Sequence, residues 1–375
     1  MIIHFSILAV ILLVSAVYEH QFRANKIRVI AAGGTAADYL GSIWPWLIIF
    51  GYIAFLAGMR TNVNDTYAYK ESFIQLEASW ETIGDVFSGD IKDKGFTILA
   101  ILFKMYISTD YHAWFFFIAI FESLLIINVL KRETVSLFDA CMIFFFTTLY
   151  FNYFSMMRQW IAVSIVFWAS RFIKKRKIIP YIFFCLLAAQ FHNSAYLMIF
   201  FYFFATGKAW SKKQLCLIVS FALSLIFLQP ILGTVGFLTE DTTYNYVVNT
   251  MQTSSGSSWI RIPIAAVPLV LAYFFRKRTN PDDNMINLTI NMSLLNLLML
   301  ILASLTSGLF VGRMSNYIQI YSLILYPYLF NIILDEKSRT IIRLVCYILY
   351  FLFYLVQMNV SDSFFYGSDI IGYFH

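Results

Sequence analysis

Apolar residues run along this chain in blocks of membrane-crossing length, separated by short polar stretches. The blocks are 2–17, 44–58, 112–130, 136–151, 156–172, 178–191, 193–206, 214–231, 260–275, 286–306, 313–334 and 340–358. A bilayer-crossing helix needs roughly 17–25 apolar residues, and fewer where its ends are packed or the bilayer thins. The pattern therefore predicts an all-α, polytopic membrane protein of about twelve spans. A further run at 95–108 is short and carries Lys104, which suits a re-entrant or interfacial helix better than a span. No internal repeat is visible, which counts against the repeat-built transporter folds. The whole chain, 1–375, reads as one multi-pass domain.

The polar stretches orient it. Alternate loops hold Arg23, Lys26 and Arg28; Lys131 and Arg132; the cluster Arg171, Lys174, Lys175, Arg176 and Lys177; Lys208, Lys212 and Lys213; Arg276, Lys277 and Arg278; and Lys337, Arg339 and Arg343. These are 19 of the 27 Lys and Arg, so positive-inside sorting places these loops in the cytoplasm and both termini outside. The runs 178–191 and 193–206 could form one overlong helix. Basic clusters on both sides of them demand a turn, and His192-Asn193-Ser194 is the polar place for it. Two outer segments are long, 59–94 and 232–259, and the first holds seven Asp and Glu against four Lys and Arg. Long ordered loops are usually functional.

Composition agrees. The chain is 60% hydrophobic and 13% charged, where soluble domains carry about 25% charged residues. Its net charge of +6 sits in short cytoplasmic loops and does not point to nucleic acid. The four cysteines, Cys141, Cys185, Cys216 and Cys346, lie inside apolar runs and read as free thiols in packed helices. The first run lacks a basic n-region and a small-residue cleavage site, so it reads as a retained span.

Candidate chemistry gathers at the outer ends of spans. Arg60, Arg158, Arg261 and Arg313 each sit at such a boundary. Each could simply snorkel to head groups. As a set they could instead grip phosphate oxygens, because guanidinium offers a planar fork and stays charged when partly dehydrated. Asp65 follows Arg60 at the boundary and could orient an arginine or accept a proton; Glu71 and Glu77 read as solvated loop acids. His192, between two spans, could serve as a general base or be an interfacial histidine with ordinary hydrogen bonds. No paired-acid, His-rich or Cys-rich spacing suggests a metal site, and no phosphate-cradling glycine loop or nucleophile elbow occurs, so metal-independent chemistry without a cofactor is expected. Tyr67, Tyr69, Trp80, Tyr244, Tyr246 and Trp259 lie in or beside the outer segments, as an aromatic belt or as stacking platforms for sugar rings.

An ordered set of short motifs resembles one family. Arg60, Asp65 and Tyr69 follow the second span, Gly95-Phe96 opens a short helix, Arg158-Gln159-x2-Ala162 opens a span, and Phe191-His192-x-Ser194 comes some thirty residues later. Arg313-x3-Tyr317 comes late in the chain. Together, over roughly 45–330, they resemble the EpsG-type, Wzy-like polysaccharide polymerases of bacterial envelopes. No role is carried onto Asp93, which precedes Gly95 with Lys94 between. The resemblance implies a GT-C/Wzy-like fold in the bacterial cytoplasmic (inner) membrane with its site on the outer, periplasmic side. It implies a glycosyltransferase that joins undecaprenyl-diphosphate-linked repeat units, among membrane lipids and with a chain-length regulator as a further candidate partner. Arg158, Arg261 and Arg313, with Arg60 as a fourth, would neutralise the leaving diphosphate. His192, or else Asp65, would take the acceptor proton. Gln159, Tyr69, Tyr317, Tyr244 and Trp259 would contact substrate. A ligase that hands glycan to another lipid acceptor, or a flippase of lipid-linked sugars, remain alternatives at this stage.

Overall fold

The computed structural model describes residues 2–31, 42–89, 91–228, 230, 250–251, 256–308, 311–333, 335–360 and 365–372. Among the described residues there are helices and no strands. Four helices among the described residues are long and apolar enough to cross a membrane: Ile2–His20 within the first helix, Tyr111–Glu133, Asn284–Leu305 and Glu336–Asn359. Leu137–Phe146 and Leu149–Ser155, bent by 63° at their junction, make a fifth if taken as one broken span. Trp44–Met59, Ile178–Ala189, Asn193–Ala205 and Arg261–Phe274 are apolar but shorter. The apolar blocks thus become helices of very unequal length.

The chain packs as two compact units. The first is Met1–Trp168, Phe183–Ala195 and Arg343–His375; the second is Ala169–Ile182 and Tyr196–Ile342.

In the first unit, α1 (Ile2–Ala31), α2 (Trp44–Met59) and α6 (Tyr111–Glu133) pack with α7 (Leu137–Phe146) and α8 (Leu149–Ser155). Helix α6 is capped as its sequence demands. The Asp110 carboxylate accepts from the backbone N–H of His112 and Ala113, and Lys131 and Arg132 lie in the last turn, where the helix dipole favours cations. The apolar block 136–151 does not form one straight span. Thr148 adopts a left-handed backbone (φ 61°), and the Thr147 hydroxyl donates 2.6 Å back to the Ile143 carbonyl, ending α7. A buried polar link then joins three elements: Tyr150 on α8 meets His4 Nδ1 of α1 at 2.9 Å and the Tyr354 hydroxyl of the C-terminal helix at 3.2 Å. Arg343 Nε reaches Asp139 Oδ1 at 2.6 Å, and Tyr347 donates to the same oxygen.

The segment 59–94 holds two helices where the sequence suggested a loop, α3 (Thr66–Gln75) and α4 (Trp80–Ser88). Ser79 caps α4 by accepting from Thr82 N at 3.1 Å. α4 buries Ile83 and Val86 against Ile101 of α5 (Lys94–Tyr106). With 13 residues, α5 is about 20 Å long, too short to cross a hydrocarbon core of about 30 Å. Lys104, whose charge argued against a span there, donates to the carbonyls of Phe73, Ile74 and Leu76 at 2.9, 2.8 and 2.7 Å. It thereby satisfies the otherwise orphaned C-terminal end of α3.

The tail 365–372 docks on the same unit. Thr61 N donates to the Gly367 carbonyl (2.8 Å), Tyr366 donates to the Leu56 carbonyl (2.8 Å), and Asp369 Oδ1 meets His112 Nε2 at 3.0 Å.

In the second unit, the helix Arg261–Phe274 packs on Asn284–Leu305, with Leu269, Ala272, Ile286, Ile290, Leu325 and Leu329 as its core. Asn287 and Asn291 of Asn284–Leu305 are buried but satisfied. Asn291 Nδ2 donates to the Ala205 and Gly207 carbonyls (3.0 and 3.2 Å), and Asn287 Oδ1 accepts from Ala209 N (2.8 Å). Block 313–334 is broken into Val311–Met314, Asn316–Gln319 and Ser322–Asn331. At the first break the Ser315 hydroxyl donates to the Gly312 carbonyl at 2.6 Å, competing with the helical ladder. The turn expected near residues 192–194 is present. Tyr181 and Tyr202 stack at 5.5 Å and Tyr181 donates to the Met198 carbonyl, which a continuous helix would forbid.

Candidate functional site

The most complete constellation lies in the first unit, where α3, the start of α5, the start of α9 (Met157–Lys174) and the segment after α10 (Ile178–Ala189) supply side chains. Arg158 is the second residue of α9, whose last turn carries Arg171 and Lys174. Its Nη1 donates to Asp93 Oδ2 at 3.1 Å. Its guanidinium carbon lies 5.6 Å from the Tyr69 ring and 6.0 Å from the Phe96 ring, close enough for cation–π attraction. Tyr69 and Phe96 touch each other at 6.0 Å. Burial pushes the Tyr69 hydroxyl above its ordinary value, and the hydrogen-bonded Arg158 pulls the other way without overcoming it. Tyr69 is therefore a neutral donor across the physiological range.

Asp93 has a left-handed backbone (φ 57°, ψ 45°) and occupies the N-cap position of α5 without capping it. Aspartate is normally among the best caps, yet this carboxylate is committed to Arg158. Two residues on, Gly95 N donates to the Gln190 carbonyl at 2.8 Å. A Cβ at Gly95 would stand 2.8 Å from Gln190 Cβ and 3.0 Å from that carbonyl oxygen, so only glycine permits the approach. Segment 93–95 thus fastens the start of α9 on one side and the exit of α10 on the other. Two residues past Gln190, the half-buried His192 holds Ser194 Oγ with Nδ1 at 2.6 Å.

The other expected site residues are distributed as follows. Arg60 is only 1% exposed, with Nε on Thr66 Oγ1 at 3.1 Å, Nη1 on the Ala57 carbonyl and the guanidinium over Phe115 at 4.6 Å. Asp65 immediately precedes α3, and its carbonyl accepts from Tyr69 N at 3.2 Å. Gln159 is buried beside Arg158 in sequence. Arg261, Arg313, Tyr317 and Trp259 belong to the second unit. Arg261 opens the helix Arg261–Phe274, and Arg313 sits half-buried in Val311–Met314. Tyr317 is 1% exposed and Trp259 60% exposed. Tyr244 lies outside the described residues. The sequence offered no ground for a role at Asp93. Its only local signal was an acid just before a glycine that opens a helix, and the partner lies 65 residues away.

Among the described residues no group of three or more His, Cys, Asp or Glu is gathered as a metal site would require. What the constellation offers is a half-exposed cation at the start of a helix, framed by two aromatic rings. The positive end of the helix dipole adds to that charge, and such an arrangement attracts anions, phosphate above all.

A family model described as the EpsG family matches residues 43–373. No curated protein and no solved structure matches the chain.

Proposed function

Because the chain belongs to the EpsG family, a family of Wzy-like polysaccharide polymerases, we propose that it is a membrane glycosyltransferase that joins undecaprenyl-diphosphate-linked repeat units on the outer leaflet of the bacterial cytoplasmic membrane. In this reading the apolar blocks make about twelve spans with both termini outside, and α5 lies at the outer surface. The observation that carries the reading is Arg158, a half-exposed guanidinium at the first turn of α9 between Tyr69 and Phe96.

The chemistry follows from the bonds exchanged. An acceptor sugar hydroxyl attacks C1 of the donor glycan, the C1–O bond to the lipid diphosphate breaks, and the hydroxyl proton must go to a base. The diphosphate leaves with its electron pair and needs charge neutralisation more than protonation. Arg158 supplies that together with the helix start. His192 is the base, taking the proton on whichever ring nitrogen carries none; its Nδ1 meets Ser194 Oγ at 2.6 Å. Tyr69 offers a face for a sugar ring. No step in this scheme calls for a metal ion.

The test is Arg158→Ala in purified, reconstituted protein supplied with lipid-linked repeat units. Losing one preorganised donor of this kind slows the chemical step roughly 10²–10³-fold. Polymer made at the wild-type rate removes Arg158 from the site and the reading with it.

A further inference from the structure

We propose that Asp93 is the positioning residue of the Arg158 guanidinium, an inference that rests on the diphosphate reading of Arg158. Three observations point the same way. The first is the order of burial: the Asp93 side chain is 11% exposed and that of Arg158 is 43% exposed. The carboxylate is the inner member of the pair and the guanidinium the outer. One of the five donors of the arginine is engaged with Asp93, and a fork so held from behind keeps others for an incoming anion.

The second is the conformation of the anchor. Asp93 adopts a left-handed backbone, which few residues besides glycine, asparagine and aspartate visit, and leaves the cap position of α5 unused. Local preference alone would turn this side chain toward the α5 backbone. The structure holds it on Arg158 instead.

The third is rigidity. The loop is pinned on both sides of the contact: Phe96 N and Thr97 N donate to the Asp93 carbonyl at 3.0 and 3.3 Å, and Gly95 N donates to Gln190. A carboxylate on a fixed loop can hold a guanidinium within the few tenths of an ångström that transition-state stabilisation requires. The other groups facing Arg158 are the Phe96 ring and Tyr69, through its ring and its hydroxyl, and both are neutral. Asp93 is the charged restraint among them.

Positioning separates ground-state attraction from catalysis. Removing the carboxylate charge leaves Arg158 as cationic as before, with no competing anion, so a diphosphate binds at least as well. Chemistry suffers because the fork is no longer aimed. The experiment uses the full-length protein in nanodiscs, with lipid-linked repeat units for kinetics and farnesyl diphosphate as the binding probe. Asp93→Asn is expected to lower kcat about tenfold, with KM and the farnesyl diphosphate Kd within threefold of wild type or tighter. Asp93→Glu, which keeps the charge, is expected to recover part of kcat. In an Arg158→Lys background, which lacks the fork, Asp93→Asn is expected to change kcat less than twofold. Should Asp93→Asn cost the same factor in both backgrounds, or nothing in either, Asp93 does not act through Arg158 and the proposal is overturned. If Asp93→Asn unfolds in the nanodisc, the same comparisons with Asp93→Glu decide: an equal loss of kcat in both backgrounds overturns the proposal. Undiminished binding of farnesyl diphosphate to Arg158→Ala is a different result. It refutes the diphosphate reading itself and removes the ground for an aimed fork.

Discussion

Gly95→Ala adds one methyl group where the first unit has no room for it. Placed at ideal geometry, the new Cβ stands 2.8 Å from Gln190 Cβ, 3.0 Å from the Gln190 carbonyl oxygen and 3.2 Å from its carbonyl carbon. Two of these are backbone atoms and cannot rotate away. Relief requires the start of α5 to withdraw from the end of α10, stretching the 2.8 Å bond from Gly95 N to the Gln190 carbonyl. Overpacking of this kind costs roughly 1–3 kcal/mol, and the weakened hydrogen bond adds about 1 kcal/mol. Alanine gives back up to about 1 kcal/mol through helix propensity. The net expectation is a loss of about 1–3 kcal/mol, read as a lower unfolding midpoint in detergent. Activity should fall further than stability, because Asp93 lies two residues upstream and moves with the loop. Gly51, in α2, is the internal control: nothing lies within 4 Å of its added Cβ, so Gly51→Ala should be neutral or slightly stabilising. A Gly95→Ala protein that unfolds with the wild type and polymerises at the wild-type rate would refute the argument that this approach fixes the site.

Three further outcomes follow from particular contacts. Lys104→Met keeps most of the apolar stem but abandons three carbonyls, so α3 should fray, with faster amide exchange over 66–75 and a loss of about 1–3 kcal/mol. Burial opposes ionisation of Asp369, yet His112 and two backbone N–H groups hold its carboxyl below the ordinary value. A depressed carboxylate contributes stability above the unfolded value near 3.9 and loses it as pH falls through the folded value. The tail should therefore become protease-sensitive below about pH 4, and Asp369→Asn should blunt that acid response; the half-exposed pair limits the effect to less than about 1 kcal/mol. Arg60→Ala deletes a buried side chain that donates to Thr66 Oγ1 and the Ala57 carbonyl and packs on Phe115, and should cost about 1–3 kcal/mol in an unfolding titration.

The helices were legible where one physical signal dominated. Long apolar runs gave Tyr111–Glu133, Asn284–Leu305 and the C-terminal helix, because nothing but a buried or lipid-facing helix accommodates them. Breaks were illegible where no Pro or Gly marks them. Thr148 ends α7 with a left-handed residue that propensity disfavours, and Ser315 interrupts block 313–334 through its own hydroxyl. Helices α3 and α4 escaped a criterion tuned to span length, although Ser79 followed by Thr82 is a readable cap. For the site, Arg158 and Tyr69 could be named from the pattern, but not that they touch. Arg60 shows the limit best: snorkelling and burial look alike in sequence, and only the packing of Phe115 and Thr66 around it decides.

The tail that closes on Thr61, Leu56 and His112 has a kinetic consequence for biogenesis. The unit holding Arg158 is assembled from three separated stretches of chain, the last beginning at Arg343, while the other unit is formed from what lies between. A ribosome therefore delivers the intervening helices to the bilayer before the Arg158 unit can be completed. Translation past Tyr366 and Asp369 sets the earliest moment at which the enzyme can mature.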